Sequence, residues 1–164
     1  MKEILSPKSD GHIRETLLRL NDFFSAYNIE YAVTGTTALY LLGAYTGKHE
    51  GPHDIDLRVT RLTNEQKKAI EQQQTISGRK SKDYGDQVCY TFECNSVLIN
   101  VLVVNDTAPV SFDSVKVEIA DFKNGKRALV NVQNVYNSLR EKMKLGRPKD
   151  KDFMLGLIAS LSNL

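Results

Sequence analysis

The run Asp54-Ile55-Asp56-Leu57-Arg58-Val59 alternates charged and apolar residues without a break. In a β-strand, successive side chains leave opposite faces, so this strand needs an apolar core behind one face and water or a polar site before the other. The chain must therefore build a sheet covered mainly on one side. The segments around it supply the cover. Ile13, Leu17, Leu20, Phe24 and Tyr27 recur at steps of four and three, the stripe of an amphipathic helix capped by Ser9 or Asp10 and ended at Asn28. Tyr31 to Thr34 reads as a short strand running into Gly35, and a short helix follows from Thr36 to Leu42, closed by Gly43 or Gly47. Tyr45 to His53, with Gly47, Gly51 and Pro52, reads as a loop.

Beyond the alternating strand, Thr63 and Gln66 form a capping box for a polar helix reaching about Gln73. Gln87 to Cys94 and Val97 to Val104 read as a hairpin around Asn95-Ser96, and Val115 to Ile119 with Arg127 to Val130 as a second around Asn124-Gly125. Val132, Val135, Leu139 and Met143 mark a helix that stops near Gly146 and Pro148, and Phe153, Leu157 and Leu161 mark the last. This order predicts an α+β fold: a small mixed sheet with helices packed mainly on one face, and two C-terminal helices. One domain spans 1–164, in which 132–164 can form a separate helical subregion.

At 164 residues, 41% hydrophobic and 26% charged, the composition is that of a globular protein and excludes bulk disorder. Cys89 and Cys94 cannot make a disulfide framework, and on one strand they point to opposite faces. No apolar run approaches the roughly 18 residues of a membrane span. The charged start Met1-Lys2-Glu3 lacks a signal-peptide core. The expectation is an intracellular protein, cytoplasmic or carried in a virion, without a membrane. A net charge of +2 is too small to argue for a nucleic-acid partner.

The chemistry concentrates at Gly35-Thr36 and Asp54-x-Asp56. A glycine at a strand-to-helix turn lets phosphate approach the backbone, and the start of the helix offers free N–H groups. Two aspartates one residue apart on a strand project to the same side and repel unless a cation lies between them. Mg²⁺ takes carboxylates together with substrate phosphates. Taken together these parts fit a nucleoside triphosphate with its metal.

The run Val33-Thr34-Gly35-Thr36-Thr37-Ala38-Leu39, followed by Asp54-Ile55-Asp56-Leu57, resembles the signature of the nucleotidyltransferase superfamily, the DNA polymerase beta-like fold. Lys142 with Gly146-Arg147-Pro148-Lys149-Asp150 is similar to the Lys…Arg-x-Lys-Asp segment of abortive-infection and minimal nucleotidyltransferases. The resemblance spans about Asn28 to Leu157. It implies Mg²⁺-dependent transfer of a nucleoside monophosphate from a triphosphate, ATP foremost, to an acceptor hydroxyl. Gly35 and Thr36 would hold phosphate, Asp54 and Asp56 the metal, and Lys142 or Lys149 the triphosphate charge.

The match departs from the family at four places. Thr36 adds β-branched bulk where the family has Gly or Ser, the stretch from Thr37 to His53 is long, and Glu50-Gly51-Pro52-His53 replaces the basic or hydroxyl residues before the acidic pair. The family's third carboxylate falls at Asn100, which shares a strand face with Leu98 and Leu102, where a core residue is expected. Asparagine offers a cation a carbonyl oxygen but is no general base. Glu93 and Asp106, near strand ends, are the candidate substitutes. A second reading follows: a degenerate nucleotidyltransferase fold serving as a binding or structural module of a larger assembly, such as a phage particle or a toxin–antitoxin complex, with a protein partner and no cofactor. His49 and His53 read as solvated loop residues. Arg140, Lys142, Lys144, Arg147, Lys149 and Lys151 form the densest basic patch, fit to face triphosphate, RNA or an acidic protein. Tyr84, Tyr90 and Phe92 read as packing residues.

Overall fold

Helix α1 (Asp10–Ala26) starts where the Ser9 side chain accepts from the backbone N–H of His12 at 3.2 Å. Ile13, Leu17, Leu20 and Phe24 are buried along its stripe, and Thr16 and Leu18 widen it. Each such large apolar side chain contributes roughly 1.5–3 kcal/mol on leaving water. The structure is a computed structural model and describes residues 6–44, 51–77, 82–84, 87–104 and 108–162. Gly47, His49 and Asp106 lie outside the described residues.

The remaining elements are β1 (Tyr31–Thr34), α2 (Gly35–Leu41), β2 (Asp54–Thr60), α3 (Asn64–Ser77), β3 (Lys82–Tyr84), β4 (Gln87–Cys94), β5 (Val97–Val104), a 3₁₀ turn (Val110–Asp113), β6 (Ser114–Asp121), β7 (Lys126–Gln133), α4 (Val135–Leu145) and α5 (Pro148–Ser162). Among the described residues the strands form one seven-stranded mixed sheet in the order β3-β4-β5-β2-β1-β7-β6. β2 runs antiparallel to β1 and parallel to β5. Its alternation sorts as expected: Ile55, Leu57 and Val59 are buried, while Asp54, Asp56, Arg58 and Thr60 are half-buried. Tyr31, Val33, Tyr90, Phe92, Ile99, Val101 and Ile119 join the same core as α1 and as Ile70 of α3. Tyr90 and Phe92 are thus packing residues, as expected.

The hairpins lie where turn chemistry puts them. β4 and β5 meet through Asn95 and Ser96, with φ of 53° and 60°, the two positive values a type I′ turn requires. β6 and β7 close over Phe122–Gly125 and are longer than the sequence suggests. The Thr63–Gln66 capping box forms in both directions, at 2.9 and 3.2 Å.

Three expectations are corrected. Val132 belongs to β7, paired with Val33 and Val115, and α4 begins only at Val135, capped by Asn134, whose side chain accepts from Asn137 N at 2.8 Å. The helical spacing from Val132 to Val135 was a coincidence of two elements meeting. α3 runs past Gln73 to Ser77 because its last turns also pack: Ile70 and Gln74 are buried, and Gln74 donates to the Thr91 carbonyl. Asn100 lies on the half-exposed face of β5 with Leu98 and Leu102, not on the core face, which carries Val97, Ile99 and Val101. Within the basic stretch, Lys142 is buried, at 7% exposed.

Candidate functional site

The half-polar face of β2 meets the start of α2. Gly35, at φ +65°, turns the chain from β1 into α2 in a conformation that other residues adopt only with strain. It also lies against Asp56, where an added Cβ would stand 3.0 Å from Oδ2. Three threonines around it tie the turn to its surroundings. Thr37 donates to the Asp54 carbonyl at 2.7 Å, Thr34 donates to the Asp56 carbonyl at 3.4 Å, and Thr36 accepts from Lys142 Nζ at 2.8 Å. The approach to β2 is pinned as well. Lys8 N donates to Pro52 O at 3.0 Å, and Gly51 passes so close to the Lys8 carbonyl that a Cβ would meet its oxygen at 2.0 Å.

Asp54 and Asp56 therefore leave the same face toward the beginning of α2. Asn100 stands beside them, paired with Asp56 across the parallel β2–β5 ladder. Its Nδ2 donates to Asp56 Oδ1 at 2.9 Å and to Asp54 Oδ2 at 3.5 Å, while its Oδ1 accepts from the Thr91 hydroxyl at 3.0 Å. Burial pushes the Asp56 carboxyl up to about 6, and the charge of Asp54 adds to the rise. The Asn100 hydrogen bond and the charges of Lys142 and Arg147 oppose it only in part.

The opposing charges come from the C-terminal helices. Lys142, on the face of α4 that packs against α2, reaches Thr36 and lies 3.4 Å from Asp150 Oδ1, with its ammonium 5.0 Å from the centre of the Phe153 ring. Arg147, at the turn into α5, grips the same Asp150 with Nε at 2.6 Å and Nη2 at 3.2 Å. Burial alone would raise the Asp150 carboxyl, but hydrogen bonds and charge from Arg147 and Lys142 hold it below the usual carboxylate range. Arg147 is raised above its ordinary value first by Asp150, and also by the charges of Asp56 and Asp54. One buried carboxylate thus anchors two cations on the side facing the acidic pair.

α4 is itself fastened to this sheet face. Asp113 accepts from Arg58, Gln133 and Asn137, and Gln133 in turn bonds Ser138 and Glu141. Burial works against the Asp113 charge, but these donors, Arg58 first, keep its carboxyl below the usual range. A cleft of about 150 Å³ opens beside this network, bordered by Arg58, Thr60, Val110, Phe112 and Asn137.

The sequence matches no protein-family model and no curated protein. Among solved structures it resembles a Thermotoga maritima protein inferred to be a nucleotidyltransferase, with 12% identity, 89% of this chain and 94% of that chain covered, and a TM-score of 0.51. It also resembles an antigenic nucleotidyltransferase-like protein from Paracoccidioides brasiliensis, with 14% identity, 93% and 77% covered, and a TM-score of 0.52. The chain has the nucleotidyltransferase fold.

Within that fold, Gly35 lies against Asp56, Asn100 bonds Asp54 and Asp56, and Lys142 bonds Thr36. The Lys149 side chain lies outside the described residues. Glu93 shares the face of Thr91 but pairs with Leu98, which separates it from Asp54, and His53 is exposed. Among the described residues no three His, Cys, Asp or Glu side chains gather as a metal cluster, so a cation here would have two acids and Asn100 for protein ligands. The donor set still fits Mg²⁺: two hard carboxylate oxygens on one side, with the rest of the shell left to water and substrate phosphate. Sequence reasoning gave Thr91 no place, and it quoted Arg147 and Asp150 only within the C-terminal motif and basic patch, without seeing that Asp150 binds both Arg147 and Lys142. Counting back from the Asn95-Ser96 turn places Thr91 opposite Asn100, and the three-residue spacing of Arg147 and Asp150 marks neighbours on a helix. Among the described residues no helix is long and apolar enough to cross a membrane.

Proposed function

We propose that the chain is a nucleotidyltransferase that moves a nucleoside monophosphate from a Mg²⁺-bound triphosphate to an acceptor hydroxyl. The observation that carries this reading is the opposition of two walls: Asp54 and Asp56 on β2, and Lys142 and Arg147 held by Asp150 on the helices. A site built only for stability would gain little from it, since a buried charge costs free energy unless it is fully compensated. Asp54 and Asp56 would hold Mg²⁺, which when bound supplies positive charge to the phosphate oxygens. Gly35 admits the Asp56 carboxylate against the turn into α2, and Lys142 and Arg147 would face the negative charge of the phosphates. The acceptor oxygen bonds to the α-phosphorus, the bond to the β-phosphate breaks, and pyrophosphate leaves. Catalysis is then positioning and charge stabilisation, with no general base at Asn100, and the acceptor's proton passes to solvent. A missing base costs roughly 10²–10⁴ in rate, so turnover is slow.

Asn100 also favours a second reading, in which the fold binds nucleotide without transferring it and serves as a module of an assembly. Incubation with each of the four triphosphates labelled at the α-phosphate, with Mg²⁺ and with RNA, protein and small hydroxyl acceptors, separates the two. The enzyme transfers label and releases pyrophosphate, and Asp54→Asn with Asp56→Asn abolishes both. Nucleotide binding with no label transferred and no pyrophosphate released rejects transfer and leaves the binding module.

A further inference from the structure

The amide of Asn100 stands between groups with opposite demands. Its Nδ2 faces the carboxylates of Asp56 and Asp54, and its Oδ1 faces the hydroxyl of Thr91. An amide has a donor end and an acceptor end, whereas a hydroxyl both donates and accepts. The Thr91 contact therefore survives if the amide turns half a revolution about its Cβ–Cγ bond: Nδ2 then donates to Thr91 Oγ1, and Oδ1 faces the acids. That torsion is broad for asparagine. The direction of the amide is set by what lies between the carboxylates. With nothing positive there, the NH₂ end is favoured, because it gives hydrogen bonds to two repelling acids. With a divalent cation there, the oxygen end is favoured, because Mg²⁺ and Mn²⁺ take oxygen ligands. A carboxylate in this place could do only the second.

We propose that Asn100 is a reversing ligand of the metal site: its NH₂ group holds the acid pair together in the empty site, and its carbonyl oxygen ligates the cation when one enters. Thr91 is the positioning residue that accommodates both directions. This rests on the metal-binding reading of Asp54 and Asp56 given above. It makes Asn100 a neutral ligand, so the site binds a bare cation weakly and gains most of its hold when nucleotide phosphates complete the shell.

The probe is Mn²⁺ alone, its free concentration followed by electron paramagnetic resonance with the full chain. The wild type binds it, Asn100→Leu weakens binding roughly tenfold, and Asn100→Asp tightens it. If the amide served only to clamp the acids, removing it would free them, so equal or tighter binding by Asn100→Leu overturns the proposal while leaving the metal site standing. Failure of the wild type to bind Mn²⁺ overturns both together. Thr91→Val weakens binding and Thr91→Ser restores it; unchanged binding in Thr91→Val removes Thr91 from the account and contradicts the reversal. A second reading needs no ligand-site variant in the titrated sample. The side-chain NH₂ resonances of Asn100, assigned by their loss in Asn100→Asp, shift when Mg²⁺ is added to the wild type. Resonances that stay in place while Mg²⁺ binds overturn the proposal even if Asn100→Leu does not fold.

Discussion

Asp56 sits where its own charge is disfavoured, and that has a measurable sign. Its carboxyl is raised from 3.8 to about 6 by burial and by Asp54, so the folded chain binds this proton more tightly than the unfolded chain does. The stability tied to that proton is fully present below about 3.8 and is lost as the pH rises through about 6. Asp56→Asn removes the unfavourable charge while keeping an oxygen for Asn100 to bond. At pH 7.5 without metal it should stabilise the fold by on the order of 1–3 kcal/mol, a gain that shrinks toward zero as the pH approaches 4. Denaturant unfolding of both proteins across that range checks it, and a variant less stable than the wild type at pH 7.5 contradicts it. The acid pair and the place of Asn100 were legible because strands have a period of two. The direction of the Asn100 amide was not, since it depends on Thr91 from a neighbouring strand. Nor was the burial of Lys142: six basic residues crowd one stretch, and only the docking of α4 on α2 decides which of them turns inward.

At the scale of elements, α4 delivers Lys142 to the site, and a polar network rather than apolar packing holds the helix in register. Asp113 is its hub, accepting from Arg58 on β2, Gln133 on β7 and Asn137 on α4. Asp113→Ala strands three donors and should cost about 2–4 kcal/mol in unfolding free energy. Because the Asp113 carboxyl is held low, its contribution is present above about 3.8 and lost as the pH falls through its lower folded value. The wild type and the variant should therefore converge in stability under strongly acid conditions; a constant difference at all pH values contradicts this role. The elements themselves were well marked wherever local chemistry defines them, as at Ser9, at the Thr63–Gln66 box and at the Asn95-Ser96 turn. They were misread at junctions. Val132 and Val135 continue one apolar spacing across a strand end, so periodicity alone could not divide them. β3, three residues long, is too short to show a period at all.

For the whole molecule, the sheet separates two tasks. One face carries the core shared with α1 and α3, and the other carries the acids, while the C-terminal helices return to place Lys142 and Arg147 opposite them. The net charge of +2 hides this arrangement, because it is a sum and the site is a separation of signs. If the space between the walls receives a metal-bound triphosphate, as proposed, thermal unfolding with ATP, GTP, CTP or UTP and Mg²⁺ reports it. At concentrations near 100 times Kd, at least one nucleotide should raise the midpoint by roughly 5–10 °C, with no rise in the chain carrying both Asp54→Asn and Asp56→Asn. No rise with any of the four, or an equal rise in the double variant, would contradict the account.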